Sequence, residues 1–256
     1  MGHESEYDRQ VEFHRGTDAG RFRNRMGNQV IARKEIALAR RVLRHMPERG
    51  GALLEVGAGE GSNLAFMALE RPEIAYVGVD FSHAKTKFQL AQTGWPAVCA
   101  DATELPFASA SFDVVLCRDL LHHVNWARDR VVAEALRVVR PAGRVVVMES
   151  DGRAPLNLVF RALYPIERGM RDSTPATLAA LGRRHGPFTL TPIEATFLLR
   201  AVAFVLGAPR GFIKAPLILL FNVLAALDAG WARLLPPRRW SYWELVIERE
   251  IDRIEG

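Results

Sequence analysis

LLEVGAGEGSNL, from Leu53 to Leu64, is an apolar run that meets an acid at Glu55 and then breaks into glycine at three alternate positions, Gly57, Gly59 and Gly61. The run reads as a buried strand, and SNLAFMALE after it has the length and spacing of a helix. Glycine at such a junction permits a tight turn and lets a ligand come close to the backbone. The helix that follows offers N–H groups with no partner inside the helix.

The same alternation repeats on the C-terminal side. IAYVGVDF (74–81), AVCAD (97–101), FDVVLCRD (112–119) and GRVVVMES (143–150) read as strands, as does ALLEVGA (52–58). SHAKTKFQLAQ and RDRVVAEALRVVR between them read as helices. Near-continuous apolar strands alternating with helices predict an α/β fold, a doubly wound, Rossmann-like and mostly parallel sheet with helices on both faces. SYWELVIERE (241–250) alternates apolar with polar and is expected to return as a last, antiparallel strand.

The flanks have a different texture. Residues 1–49 are basic and helical: Ile31, Ile36, Leu38, Ala39, Val42, Leu43 and Met46 recur at helical spacing until Pro47. Pro155, Pro165, Pro175 and Pro187 mark a lid or cap after the core rather than sheet. TPIEATFLLRAVAFVLG (191–207) is expected as a helix, with Thr191 as N-cap and Pro192 at its first position. The chain is thus expected as a single domain: an N-terminal helical cap (1–49), a core (50–150), a lid or helical insertion (151–239) and a final strand (240–251).

Spacing narrows the ligand. A dinucleotide fingerprint is G-x-G-x-x-G, whereas here the order is G-x-G-x-G. Asp80 ends the next strand about twenty residues on, the separation expected for an acid on ribose hydroxyls. A glycine turn with a strand-end carboxylate points to a nucleoside.

At this point the sequence resembles the class I S-adenosylmethionine-dependent methyltransferases, in the small-molecule group related to the ubiquinone and menaquinone methylases. LLEVGAGEGSNL, YVGVDFS, ADATELPFASASFDVVLCRDLLHHV and EALRVVRPAGRVVVME carry the resemblance in the family's order, over roughly residues 50–150. It implies S-adenosyl-L-methionine as cofactor and S-adenosyl-L-homocysteine as product. By that resemblance Glu55, Gly57, Ala58, Gly59, Gly61 and Asn63 form the loop under methionine and ribose. Asp80 takes the ribose hydroxyls, with Phe81 and Ser82 flanking the adenosine. Asp101, Ala102 and Thr103 stand at the adenine edge, and Cys117 and Arg118 meet the methionine moiety. Tyr7, in a Tyr-Asp pair near the start, is expected to close over the cofactor.

His122 and His123 are expected to begin the helix after the fourth strand, near the methyl group. Each reads either as structural or as a general base for a hydroxyl or amine, which suits a group whose ordinary pKa is near 6.5. In-line transfer from an activated methyl needs no metal, and the sequence has no H-x-x-x-H or clustered Cys/His spacing. The acceptor is expected to be a small molecule, with an apolar lipid, isoprenoid or polyketide-like one a candidate. A nicotinamide-dependent oxidoreductase and a non-catalytic binding module are the competing readings.

Other features bear on partners and compartment. A net charge of +5 without a basic block, and CRDLLHH where base-methylating enzymes carry an N/D-P-P-Y-type loop, argue against nucleic acid. Pro216 to Leu235, interrupted by Asn222, Asp228 and Arg233, reads as too short for a membrane span, which needs about twenty apolar residues. It is expected as a buried helix or dimer seam, or as an acceptor wall or peripheral membrane patch, in a monomer or homodimer. Cys99 and Cys117 read as reduced core thiols, and the charged N-terminus argues for a cytoplasmic protein.

Overall fold

The computed structural model describes Glu12, residues 15–194, Val202 and residues 214–250. Tyr7 and most of the helix expected over 191–207 lie outside those residues.

Seven strands form one sheet: β1 (Ala52–Val56), β2 (Ala75–Asp80), β3 (Ala97–Cys99), β4 (Phe112–Arg118), β5 (Val139–Ser150), β6 (Phe188–Glu194) and β7 (Tyr242–Glu248). Their order is β3-β2-β1-β4-β5-β7-β6. All neighbours are parallel except β7, which runs against both β5 and β6. The chain reverses direction across the sheet between β1 and β4, and in open α/β sheets such a switch point, at the strands' C-terminal ends, opens a crevice.

Among the described residues the helices are α1 (Ala19–Gly27), α2 (Gln29–Leu43), α3 (Ser62–Glu70), α4 (His83–Thr93), α5 (Arg128–Val138), α6 (Pro155–Leu163), α7 (Pro175–His185) and α8 (Lys214–Leu234). Asn28 closes α1 and caps α2, its side chain accepting from the N–H groups of Val30 and Ile31. Leu38, Ala39, Val42 and Leu43 of α2 then pack with Leu64 and Met67 of α3 against Leu53, Tyr76, Val114 and Val146 on one side of the sheet. On the other side Val131, Val132, Ala135 and Val138 of α5, with Leu178 and Leu181 of α7, cover Leu54, Val115, Val145 and Leu245. Each leucine buried this way contributes roughly 1.5–3 kcal/mol.

Four expectations are corrected. Thr191 and Pro192 do not start a helix; they sit in β6, opposite Glu244 and Trp243 of β7. Proline is tolerated there because β6 is the edge strand, and the register slips just after it, between Pro192 and Glu194. Cys99 is exposed, since β3 is the short opposite edge; Cys117, in β4, is buried. β7 is buried at six consecutive positions rather than on one face, because helices cover both sides of the sheet.

The fourth correction concerns α8. It runs for 21 residues and is long and apolar enough to cross a membrane. It is not a buried helix: Leu217, Phe221 and Leu224 pack with Val30, while Leu219, Leu220, Val223, Leu227, Trp231 and Leu234 stand exposed.

Between β5 and β6, α6 and a 3₁₀ segment (Pro165–Asp172) lie over the strand ends as a cap, before α7 returns to the sheet face. The cap is seated tightly on the core. A Cβ added at Gly169 would lie 2.0 Å from the His122 carbonyl oxygen.

Candidate active site

A cavity of about 540 Å³ opens at the C-terminal ends of the central strands, beneath the cap. Its size suits a cofactor together with a small acceptor. Gly57, Ala58, Gly59 and Asn63 line one end with Asp80, Phe81, Asp101, Ala102 and Arg118. His122, His123, Phe160, Tyr164 and Glu167 are among the residues lining the side that faces the cap.

The glycine turn is held to the neighbouring strand, because the N–H groups of Gly57 and Ala58 both donate to the Val79 carbonyl, at 2.8 and 2.9 Å. Two of the glycines have different duties. Gly61, at φ +78°, admits Gln89 of α4, whose Cγ would stand 2.4 Å from an added Cβ. Gly59, at φ +55°, has no atom within 4 Å of where a Cβ would be, so it leaves an open floor. Beyond it, α3 starts at Ser62 with Gly61 as N-cap and no side-chain cap, and its first N–H groups are available to a ligand.

Asp80 organises this end. One carboxylate oxygen accepts the Gly59 N–H at 2.9 Å and the other accepts the Ser82 N–H at 2.9 Å. Burial raises its pKa, against Lys85 and those two N–H groups. A carboxylate has about four acceptor sites, so both oxygens retain capacity for hydroxyls. Asp101 is exposed on the rim and accepts from the Thr103 N–H and hydroxyl, at 2.7 and 2.8 Å.

Under the floor runs a charged network in which Arg25, Glu35 and Ser62 join the expected Glu55, Asn63 and Arg118. Arg118 donates to Glu35 at 2.6 Å and to Asn63 at 2.9 Å; Arg25 donates to the same two groups, at 2.7 and 2.9 Å, and to Ser62 at 2.7 Å. Asn63 in turn donates to Glu55. Burial opposes ionisation of Glu35, but Arg118 and Arg25 override it and hold its carboxyl well below the usual carboxylate range. Burial pushes Glu55 up to about 7, against Asn63 and the two arginines. Glu35 was visible in principle as an acid on the apolar stripe of α2, between Ile31 and Leu38.

Facing the cap, His122 is clamped. Its Nδ1 lies 2.6 Å from Glu149 of β5, and its Nε2 lies 3.2 Å from Glu167 of the cap. Glu149 also accepts the Leu121 N–H at 2.6 Å. Burial alone lowers the pKa of His122, yet Glu149 and Glu167 outweigh it and push it up to about 10. His122 is therefore an imidazolium at neutral pH. The His123 ring centre stands 4.1 Å from that of His122. Both histidines lie in a turn before a short 3₁₀ segment (Asn125–Ala127), not at the start of a helix, since α5 begins only at Arg128. Although the sequence has no metal-ligand spacing, the fold brings one donor atom each of His122, His123 and Glu167 within 4.8 Å of one another. The proton on His122 occupies one of those donors.

Of the residues expected at the site, Glu55, Gly61, Ser82, Thr103 and Cys117 do not line the cavity. Glu55 and Cys117 are strand residues with no exposed surface, so they support the wall from behind. Burial pushes the Cys117 thiol up to about 12, which leaves it inert. Ser82 caps α4 and donates to the Arg15 carbonyl at 2.7 Å. Trp126, Asn157, Phe160, Tyr164, Glu167 and Met170 line the cavity without having been expected. They come from the turn after β4 and from the cap, where no short motif marks them.

The family model described as "Methyltransferase domain" matches residues 54–147. The chain is 36% identical over 137 residues to the phosphatidylethanolamine N-methyltransferase of Cereibacter sphaeroides, covering 50% of this chain and 66% of that one. It is 36% identical over 115 residues to the ubiquinone/menaquinone biosynthesis C-methyltransferase of Desulfotalea psychrophila, covering 43% of this chain and 45% of that one. The chain thus spans about half to two thirds of the length of these relatives. Among solved structures, phosphoethanolamine N-methyltransferase 2 of Haemonchus contortus with S-adenosyl-L-methionine superposes with a TM-score of 0.57 at 16% identity, over 90% of this chain and 60% of that one. That likeness is one of fold.

Proposed function

We propose that this chain, which carries a class I S-adenosylmethionine-dependent methyltransferase domain related to the ubiquinone methylases, methylates the amine of a lipid-like acceptor. The cofactor fits the site on three counts. The floor is open at Gly59, the N-terminus of α3 is uncapped, and Asp80 offers both carboxylate oxygens at the neighbouring strand end. When bound, S-adenosylmethionine supplies a methyl carbon already activated by its sulfonium.

The observation that carries the acceptor class is the composition of the cap side. Phe160, Leu163, Tyr164 and Met170 give it apolar and aromatic walls, and the carboxylate of Glu167 lies among them. Aromatic faces and one carboxylate together attract an ammonium group. Val159 and Leu163 line the same cavity while standing 56% and 68% exposed, so its rim is apolar too, as a lipid chain requires. The similarity to a phosphatidylethanolamine N-methyltransferase supports the same class.

Within that frame Glu167 holds the acceptor nitrogen, and His123 takes the proton that the nitrogen must lose before attack. His122 is already protonated, so it takes no further proton; it is a positioning residue that fixes Glu167 against Glu149. The cofactor, held by Asp80 and the turn at Gly59, would supply the electrophilic methyl carbon between the acceptor nitrogen and a sulfur able to leave with the bonding pair. The cap excludes water and aligns the three atoms.

Two outcomes follow. Glu167→Gln keeps the shape but loses the charge, and is expected to lower kcat/KM for the amine by about ten- to a hundredfold while S-adenosylhomocysteine affinity is unchanged. Gly169→Ala must lift the cap from the His122 carbonyl, and a shift of that kind is expected to lower kcat by about a hundredfold. Both are measured as transfer of labelled methyl to phosphatidylethanolamine. Transfer to a quinol but not to any amine would overturn the acceptor class and leave the cofactor assignment standing.

A further inference from the structure

We propose that α8 is a membrane-docking helix, which lies flat on an anionic bilayer surface. Leu219, Val223, Leu227, Trp231 and Leu234 follow one another at spacings of four, four, four and three residues, which places them along one stripe of the helix. All five are more than 45% exposed, from 48% at Val223 to 77% at Leu234. Isolated exposed leucines are ordinary in soluble proteins, but a continuous stripe of this length marks an interaction surface.

Charge selects the occupant. From Lys214 to Trp240 the cations are Lys214, Arg233, Arg238 and Arg239, all exposed, and the sole acid is Asp228, which is buried. Every exposed charge of this stretch is therefore positive. Apolar side chains flanked by arginines, with Trp231 on the stripe and Trp240 half-buried just beyond it, match the boundary between acyl chains and anionic headgroups.

The orientation follows from what α8 already holds. Its 21 residues would extend about 32 Å, enough to span a hydrocarbon core. Spanning would strip Leu217, Phe221 and Leu224 from Val30 and place the Asp228 carboxylate in hydrocarbon. Lying in the interface keeps the packing on Val30 and leaves Asp228 buried in the protein, so that only the exposed stripe enters the bilayer. The inference goes beyond the proposed chemistry, since it concerns where the protein sits rather than what it methylates.

Co-sedimentation with vesicles tests it. The wild-type chain is expected to sediment with phosphatidylcholine vesicles containing phosphatidylglycerol, and at least about tenfold less with phosphatidylcholine alone or in high salt. The double variant Val223→Glu/Leu227→Glu, whose positions are exposed, is expected to keep its fold and lose at least about a hundredfold in vesicle affinity. Arg238→Glu/Arg239→Glu should lose the preference for anionic lipid. Wild-type protein that stays in the supernatant, or a glutamate variant that sediments like wild type, overturns the proposal. So does a concentration-dependent dimer, seen by analytical ultracentrifugation without lipid, that Val223→Glu/Leu227→Glu dissociates; the stripe would then face a second copy. S-adenosylhomocysteine binding, measured alongside, reports separately on the active site.

Discussion

Replacing Asp80 by alanine is expected to weaken S-adenosylhomocysteine binding by about a hundredfold or more, as read by calorimetric titration. The carboxylate has two tasks at once. It is placed to accept ribose hydroxyls, and it already accepts the Gly59 and Ser82 N–H groups, which shape the turn on either side of the ligand. Hydrogen bonds to a charged group contribute about 1.5–3 kcal/mol each, so losing two corresponds to at least a hundredfold. Asp80→Asn should be nearly as damaging, because its amide turns a donor toward one of two backbone donors. Thermal stability should fall as well, because the Gly59 and Ser82 N–H groups lose their acceptor, so binding is compared at a temperature where both proteins are folded. An affinity within threefold of wild type would remove the nucleoside from this strand end.

The second large effect is on stability. Glu35→Ala leaves Arg118, which is almost fully buried, without its principal counter-ion, and deprives Arg25 of the same partner. Breaking a buried pair by removing one member costs about 3–5 kcal/mol, because the other charge stays behind. For a chain of this size that corresponds to a melting temperature lower by roughly 10 °C. Acid gives an independent check. The Glu35 pKa is depressed below its ordinary value of 4.5, so its contribution is present above that pH and is lost as the pH falls further. Wild type and Glu35→Ala should therefore differ most at neutral pH and converge on acidification. Equal urea midpoints at pH 7 would show that the network adds nothing to the folded state. Because Asn63 ties this network to the glycine turn, weaker cofactor binding should accompany the lost stability.

How much of this was readable in the residues depends on the range of the interactions involved. The core strands were legible because a strand covered on both faces is an uninterrupted apolar run, and the glycine turn because it departs from that run in a fixed rhythm. Asp80 was legible because its task is set by its place at the end of a strand. β6 was not: in FTLTPIE the pair Thr191 and Pro192 looks like the start of a helix, and only its edge position, with β7 as its one partner, makes proline acceptable there. Cys99 looked like a core residue, yet β3 is too short and too near the edge to bury it.

The charged groups were the least legible. Glu35, Arg118 and Asn63 meet from three separate elements, and Glu149, His122 and Glu167 from three others. No local pattern encodes those meetings. The His-His pair is a candidate base by residue type, but the state of His122 depends on two carboxylates 27 and 45 residues away in the chain. For α8 the residue pattern is apolar all round and leaves burial, a dimer seam, an acceptor wall and a membrane patch open, because only the packing of its neighbours decides which apolar side chains stay exposed.

The most direct measurement is a crystal structure of the chain with S-adenosyl-L-homocysteine. The ribose hydroxyls should lie within hydrogen-bond distance of the Asp80 carboxylate, the sulfur over the turn at Gly59 and open toward His123 and Glu167. A nucleoside bound elsewhere, or a sulfur turned away from the cap, would contradict both the cofactor assignment and the path proposed for the methyl group.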